Sequence, residues 1–174
     1  RPRRRKMIEI PMTDRPLNVL FLCTGNSCRS IIAEQLLNHL GRGRFTGYSA
    51  GSHPTGRVNP NAVQALERRG VATGGLTAKS WDAFAGVDAP QMDIVITVCD
   101  NARGEACPVW PGRPVAAHWG LADPAEVKGD DAETQAAFDA TLNHLERLLG
   151  GLVELPEDRL TAQDLNRLPG NTAA

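Results

Sequence analysis

Residues 17–30 read Leu17-Asn18-Val19-Leu20-Phe21-Leu22-Cys23-Thr24-Gly25-Asn26-Ser27-Cys28-Arg29-Ser30. The apolar run up to Leu22 suits a strand buried on both faces. The turn Thr24-Gly25-Asn26-Ser27 then leads into Ile31-Ile32-Ala33 and Leu36-Leu37-Leu40, which have helical spacing and stop at Gly41. A buried strand followed by a tight polar turn and a helix is the opening unit of a parallel α/β sheet.

The same grammar recurs along the chain. Phe45 to Ala50 reads as a second strand closed by Gly51, and Met92 to Val98 as a third that runs into Cys99. Val115 to Trp119 reads as a short fourth strand. Asn59 and Pro60 provide a cap and a first-turn proline for a helix through Arg69, ended by Gly70. Thr134 to Leu149 is a long amphipathic helix, after which Gly150-Gly151 is expected to break the chain. The fold class that follows is α/β, a doubly wound, four-stranded parallel sheet with helices on both faces. Residues 1–16, with Arg1, Arg3, Arg4, Arg5 and Lys6, read as a flexible basic arm. The domain spans 17–150, and 151–174 reads as a C-terminal tail with one short helix.

Composition narrows the classes. The 174 residues are 41% hydrophobic and 22% charged with a formal net charge of −1, which suits one globular domain and gives no global field for nucleic acid or an acidic membrane. Apolar runs stay well short of the roughly 20 residues a spanning helix needs. A soluble, cytoplasmic monomer that binds neither nucleic acid nor membrane is the expectation.

Chemistry is expected beyond the carboxyl ends of the strands, where open parallel sheets bind ligands. Cys23 and Cys99 share that address. In the loop Thr24, Gly25, Asn26, Ser27, Cys28, Arg29 and Ser30, successive backbone N–H groups and a helix N-terminus can cradle a tetrahedral oxyanion. Arg29 can clamp two of its oxygens, and the positive surroundings favour the Cys23 thiolate. Ser30 can donate a further hydrogen bond to that thiolate. Cys28 is expected to turn its side chain away from the oxyanion. Among the histidines, His39 and His144 read as surface residues, His53 as one able to approach the site, and His118 as a packing residue.

The run LFLCTGNSCRS, with Ala33-Glu34-Gln35 and Tyr48-Ser49-Ala50-Gly51 after it, resembles the phosphate loop of the low-molecular-weight protein tyrosine phosphatase superfamily. Residues 59–63 (NPNAV), Thr97-Val98-Cys99-Asp100, Cys107-Pro108, His118-Trp119-Gly120 and Asp123-Pro124-Ala125 resemble its arsenate reductase branch. The resemblance covers residues 17–150. It implies Cys23 as nucleophile, Arg29 as oxyanion clamp and Asp123 as general acid. It further implies that Cys99 and Cys107 complete a thiol–disulfide relay from Cys23, reducing arsenate to arsenite with no bound cofactor. The external reductant is then thioredoxin, or glutathione with glutaredoxin.

A phosphatase needs Cys23, Arg29 and Asp123 alone, and protein tyrosine phosphatase activity is the alternative. Its usual tyrosine after Asp-Pro is Ala125 here, and hydrolysis leaves Cys99 and Cys107 unexplained. A non-enzymatic oxyanion-binding protein is the third reading. Some reductases of this branch bind potassium beside the loop. Asn26, Glu34 and Ser49 match three of its ligands, while the fourth place holds Trp81, with Asp82 displaced by one residue.

Overall fold

The structure, a computed structural model, describes residues 15–99 and 110–172. The basic arm up to residue 14 and Cys107 lie outside the described residues. Four strands, β1 (Leu17–Cys23), β2 (Phe45–Gly51), β3 (Ile94–Thr97) and β4 (Val115–His118), form one parallel sheet in the order β2-β1-β3-β4. From β1 the chain crosses to β2 on one side, then returns to β3 on the other side of β1. The switch point of the sheet therefore lies between the carboxyl ends of β1 and β3.

Side chains of β1 alternate between two apolar clusters, as strand geometry requires. Val19, Phe21 and Cys23 join the larger one, with Ile32, Leu36 and Leu37 of α1 (Arg29–Leu40) and Ala62, Ala65 and Leu66 of α2 (Pro60–Arg68). Leu20 and Leu22 join the smaller one, with Ala50, Phe84, Met92, Val95 and Trp110. The larger face also takes α3 (Asp131–Glu154), and the smaller is closed by the 3-10 turn Trp81–Phe84. Asn59 caps α2 by accepting from the Asn61 N–H, with Pro60 in its first turn, and Gly41 caps α1. Among the described residues no helix is long and apolar enough to cross a membrane.

The expected break at Gly150-Gly151 does not occur. α3 starts at Asp131, through a capping box of Asp130 and Glu133, and runs on to Glu154. Two glycines cost only about 1 kcal/mol each in a helix, and Leu145, Leu148, Leu149 and Leu152, all fully buried, hold the helix across them. Gly151 also faces Leu168, where a Cβ would come within 3.1 Å of its side chain.

The segment read as a tail is therefore packed into the core. Its short helix is present as α4 (Ala162–Asn166), and Leu160, Leu165 and Leu168 belong to the larger cluster. The Trp119 indole donates to the Leu165 carbonyl at 3.0 Å, and Asn166 accepts from the His118 N–H at 2.8 Å. Leu165→Ala should cost about 2–5 kcal/mol in urea unfolding, as for a core leucine; a loss under about 0.5 kcal/mol would mark the segment as a surface appendage.

Candidate active site

Sheet register brings the first two cysteines together. Leu22 pairs with Thr97, and the Val98 N–H continues the ladder to the Leu22 carbonyl at 2.8 Å. Cys23 and Cys99 thus leave neighbouring strands at the same edge, both buried and neither in a disulfide. Thr24 Oγ1 lies 3.7 Å from Cys99 Sγ.

The loop between β1 and α1 is held from outside. The carbonyls of Thr24, Gly25 and Ser27 accept from the backbone N–H groups of His53, Thr55 and Asn59 at 2.9, 3.0 and 2.9 Å. In a trans peptide the N–H points opposite to the carbonyl. The N–H groups of Gly25, Asn26 and Cys28 are therefore turned away from this strap, toward the hollow of the loop. Asn26 adopts φ +48° and is fully buried; Asn is among the few residues that tolerate this region. Its amide donates to Ser30 Oγ at 2.9 Å, and its oxygen accepts from the Lys79 N–H at 2.8 Å.

The bond found for Ser30 is thus with Asn26, a brace within the loop, where a bond to Cys23 was expected. Gly51 lies against the loop so closely that a Cβ would stand 2.5 Å from the Thr24 carbonyl oxygen and 2.9 Å from that of Cys23. The sequence shows Gly51 as a strand end and as the last residue of Tyr48-Ser49-Ala50-Gly51, and this close approach is a physical reason for a glycine there.

Arg29 opens α1 beneath the loop. Its Nη1 donates to the Leu121 carbonyl at 3.1 Å and its Nη2 lies 3.5 Å from Asp123 Oδ2. Its Nε is buried and has no partner among the described residues, a polar atom that an oxyanion oxygen would satisfy. Asp123 caps the turn Pro124–Glu126 by accepting from the Ala125 N–H at 3.0 Å. Cys28 Sγ donates toward Asp123 Oδ1 at 3.8 Å, which turns this thiol to the Asp123 loop. Burial, with the Asp123 carboxylate beside it, pushes the Cys28 thiol up.

The electrostatics of Cys23 differ from expectation. Its hydrogen bond with Cys99 and its burial push the Cys23 thiol far up, while Arg29 works in the opposite direction. In this conformation the loop alone does not make Cys23 a free thiolate.

The histidines contribute through their frames. His53 is exposed and serves the loop through its backbone N–H. His118 Nδ1 pairs with Thr97 Oγ1 at 2.7 Å within the sheet, in keeping with a packing role. His144 is half-buried, its Nε2 2.6 Å from the Gly170 carbonyl, so it is not the surface residue expected; His39 is exposed.

The three matching potassium ligands do meet: Ser49 Oγ donates to Glu34 Oε1, and Asn26 lies beside them. The fourth position fails. Trp81 is packed against the smaller apolar cluster, and Asp82 is exposed. The Lys79 ammonium stands among the remaining oxygens, 3.5 Å from Asn26 Oδ1 and 3.9 Å from Glu34 Oε1. Burial raises the Glu34 pKa and lowers that of Lys79, each partner opposing the shift of the other. These residues do not fit an alkali cation.

Residues 18–165 match the model of the low molecular weight phosphotyrosine protein phosphatase family. The chain belongs to that family. It is 38% identical over 120 residues to an arsenate reductase of Halalkalibacterium halodurans, covering 69% of this chain and 83% of the relative. A solved arsenate reductase in its oxidized state superposes with a TM-score of 0.63 at 26% identity, covering 78% of this chain and 95% of that one. The thioredoxin-dependent arsenate reductase of Corynebacterium glutamicum does so with a TM-score of 0.53 at 26% identity, covering 80% of this chain and 64% of that one.

Relieving the thiol pair is testable. Cys99→Ala removes the largest influence raising the Cys23 pKa, so the pH midpoint for alkylation of Cys23 by iodoacetamide should fall and the rate at pH 7 should rise. An unchanged midpoint would mean that Cys99 does not raise the Cys23 pKa.

Proposed function

We propose that the protein is an arsenate reductase, converting arsenate to arsenite with a cysteine nucleophile and an intramolecular thiol–disulfide relay. The observation that carries the reading is the pairing of Cys99 with Cys23 beside Arg29. Hydrolysis of a phosphate ester has no use for a second thiol at the nucleophile, whereas two-electron reduction consumes two. The names of the similar proteins support the same reading.

Arsenate enters the hollow of loop 23–30, held by backbone N–H groups and by Arg29, whose charge persists despite burial with the Asp123 carboxylate beside it. Cys23 attacks arsenic and an oxygen leaves as water, with Asp123 donating the proton. Cys99 then attacks Cys23 Sγ. A sulfur–sulfur bond forms, the sulfur–arsenic bond breaks with its electron pair passing to arsenic, and arsenite departs as arsenic(III). Because Cys23 and Cys99 stand at the ends of neighbouring paired strands, this step requires no large movement of either strand.

Cys107 next attacks Cys99, releasing Cys23 and leaving a Cys99–Cys107 disulfide for an external thiol reductant. That reductant is thioredoxin, or glutathione with glutaredoxin; the thioredoxin dependence of the Corynebacterium glutamicum protein favours the first. Arsenite release measured with each system supplied alone decides between them.

Two sets of variants test the chemistry. Cys23→Ser should abolish arsenate reduction and aryl phosphate hydrolysis together, and near-normal turnover would end the proposed mechanism. Cys99→Ser should abolish arsenate turnover while leaving weak aryl phosphate hydrolysis, whereas Asp123→Asn should depress both by about 10²–10⁴-fold. If Cys99→Ser reduces arsenate normally, Cys99 is only a strand-end core residue.

Peptide mapping after a single turnover tests the order of the relay. Arsenate without reductant should leave Cys99–Cys107 oxidised, and Cys107→Ser should stall at Cys23–Cys99. A Cys23–Cys107 bond, or a glutathione adduct on Cys99 with Cys107 free, would refute the three-cysteine order.

A further inference from the structure

The segment Thr77 to Ser80 does more than connect α2 to the sheet. The Gly51 N–H donates to the Lys79 carbonyl at 2.9 Å, and the Lys79 N–H donates to Asn26 Oδ1 at 2.8 Å. The backbone of Lys79 is thereby fixed between the end of β2 and the one loop residue held at positive φ. From that anchor its side chain folds back over Asn26. The ammonium donates to the Thr77 carbonyl at 2.7 Å and to Asn26 Oδ1 at 3.5 Å, with Glu34 Oε1 at 3.9 Å. Three donors thus face three oxygens.

We infer that the Lys79 ammonium is a tethered monovalent cation that positions the oxyanion loop through Asn26 and Glu34, and that it makes the protein independent of potassium. An ammonium and a potassium ion carry the same charge, are close in size and both take oxygen partners. Two carboxylates would need a free cation between them. Here Trp81 stands in place of the second, so one carboxylate, Glu34, is balanced by one ammonium. An added potassium ion would meet a like charge and lack an oxygen ligand. The covalent tether also removes the association cost that a free ion bears at each binding event.

Lys79 touches neither the nucleophile nor the oxyanion hollow among the contacts described, so it is a positioning residue. It fixes the Asn26 amide, which in turn braces Ser30 at 2.9 Å. Loss of that brace loosens the peptide planes whose N–H groups face the oxyanion, and small displacements in such a cradle cost strongly in binding and turnover.

The inference rests on the proposed oxyanion-binding role of the loop, and the test separates the two. The readout is protection of Cys23 from iodoacetamide by inorganic phosphate, measured at constant ionic strength in potassium, sodium or choline chloride, with arsenate turnover in parallel. In the unaltered protein, phosphate affinity, KM and kcat should agree within about twofold across the three salts. Lys79→Ala should weaken phosphate binding about tenfold or more, and potassium or methylammonium, but not choline, should restore much of it by entering the space released. Lys79→Met keeps the bulk without the charge and should be weakened yet not restored.

Potassium activation of the unaltered protein by fivefold or more would overturn the inference, as would phosphate binding by both variants at the unaltered level. A loss in Lys79→Ala that neither cation repairs would reduce Lys79 to a packing residue and overturn it equally. If Lys79→Ala does not fold, the salt comparison and Lys79→Met decide. Failure of phosphate to protect Cys23 in the unaltered protein would instead remove the oxyanion site itself, and Lys79's role with it.

Discussion

The hydrogen bonds from the backbone of residues 53, 55 and 59 to the carbonyls of Thr24, Gly25 and Ser27 determine which way the peptide planes of the loop after β1 face. A loop of this length has many conformations, and most of them would scatter its N–H groups. With the carbonyls occupied on one side, the N–H groups of the same planes converge on the other. The strap can do this because Gly51 lets β2 run directly against the loop, where a Cβ would collide with two carbonyl oxygens. Asn26 closes the arrangement by accepting a backbone conformation that most residues resist.

From that loop the remaining chemistry follows by position in the sheet. The switch point between β1 and β3 places two thiols at one edge, and the loop after β4 returns Asp123 over Arg29. Arg29 joins Leu121 and Asp123 to α1, it opposes the rise of the Cys23 pKa, and its buried Nε is left for an oxyanion. In the proposed relay, the strand pairing that puts Cys99 beside Cys23 also puts it beside the sulfur it would attack.

Much of the fold was legible in the chain. The apolar runs of β1 and β3 are the two central strands, because a parallel strand buried on both faces has no polar alternation to hide. Asn59-Pro60 and Gly41 mark helix ends where they are seen, since capping is a local matter. Gly150-Gly151 misled for the opposite reason. Local propensity favours a break by a small amount, and burial of Leu148, Leu149 and Leu152 on one helical face outweighs it.

The sequence by itself marked Cys23, Arg29 and Cys99 as candidates for oxyanion chemistry, because strand ends and helix starts are written locally and these residues sit at them. Asp123 and Cys107 joined them only through the resemblance to the arsenate reductase branch. Tertiary structure alone decided how these groups act on one another. That Cys99 raises the Cys23 pKa depends on strand register, and that Lys79 stands between Asn26 and Glu34 depends on a segment distant from both in the chain. Such influences weaken with distance, so they are set by the packing of remote segments, which no local pattern encodes.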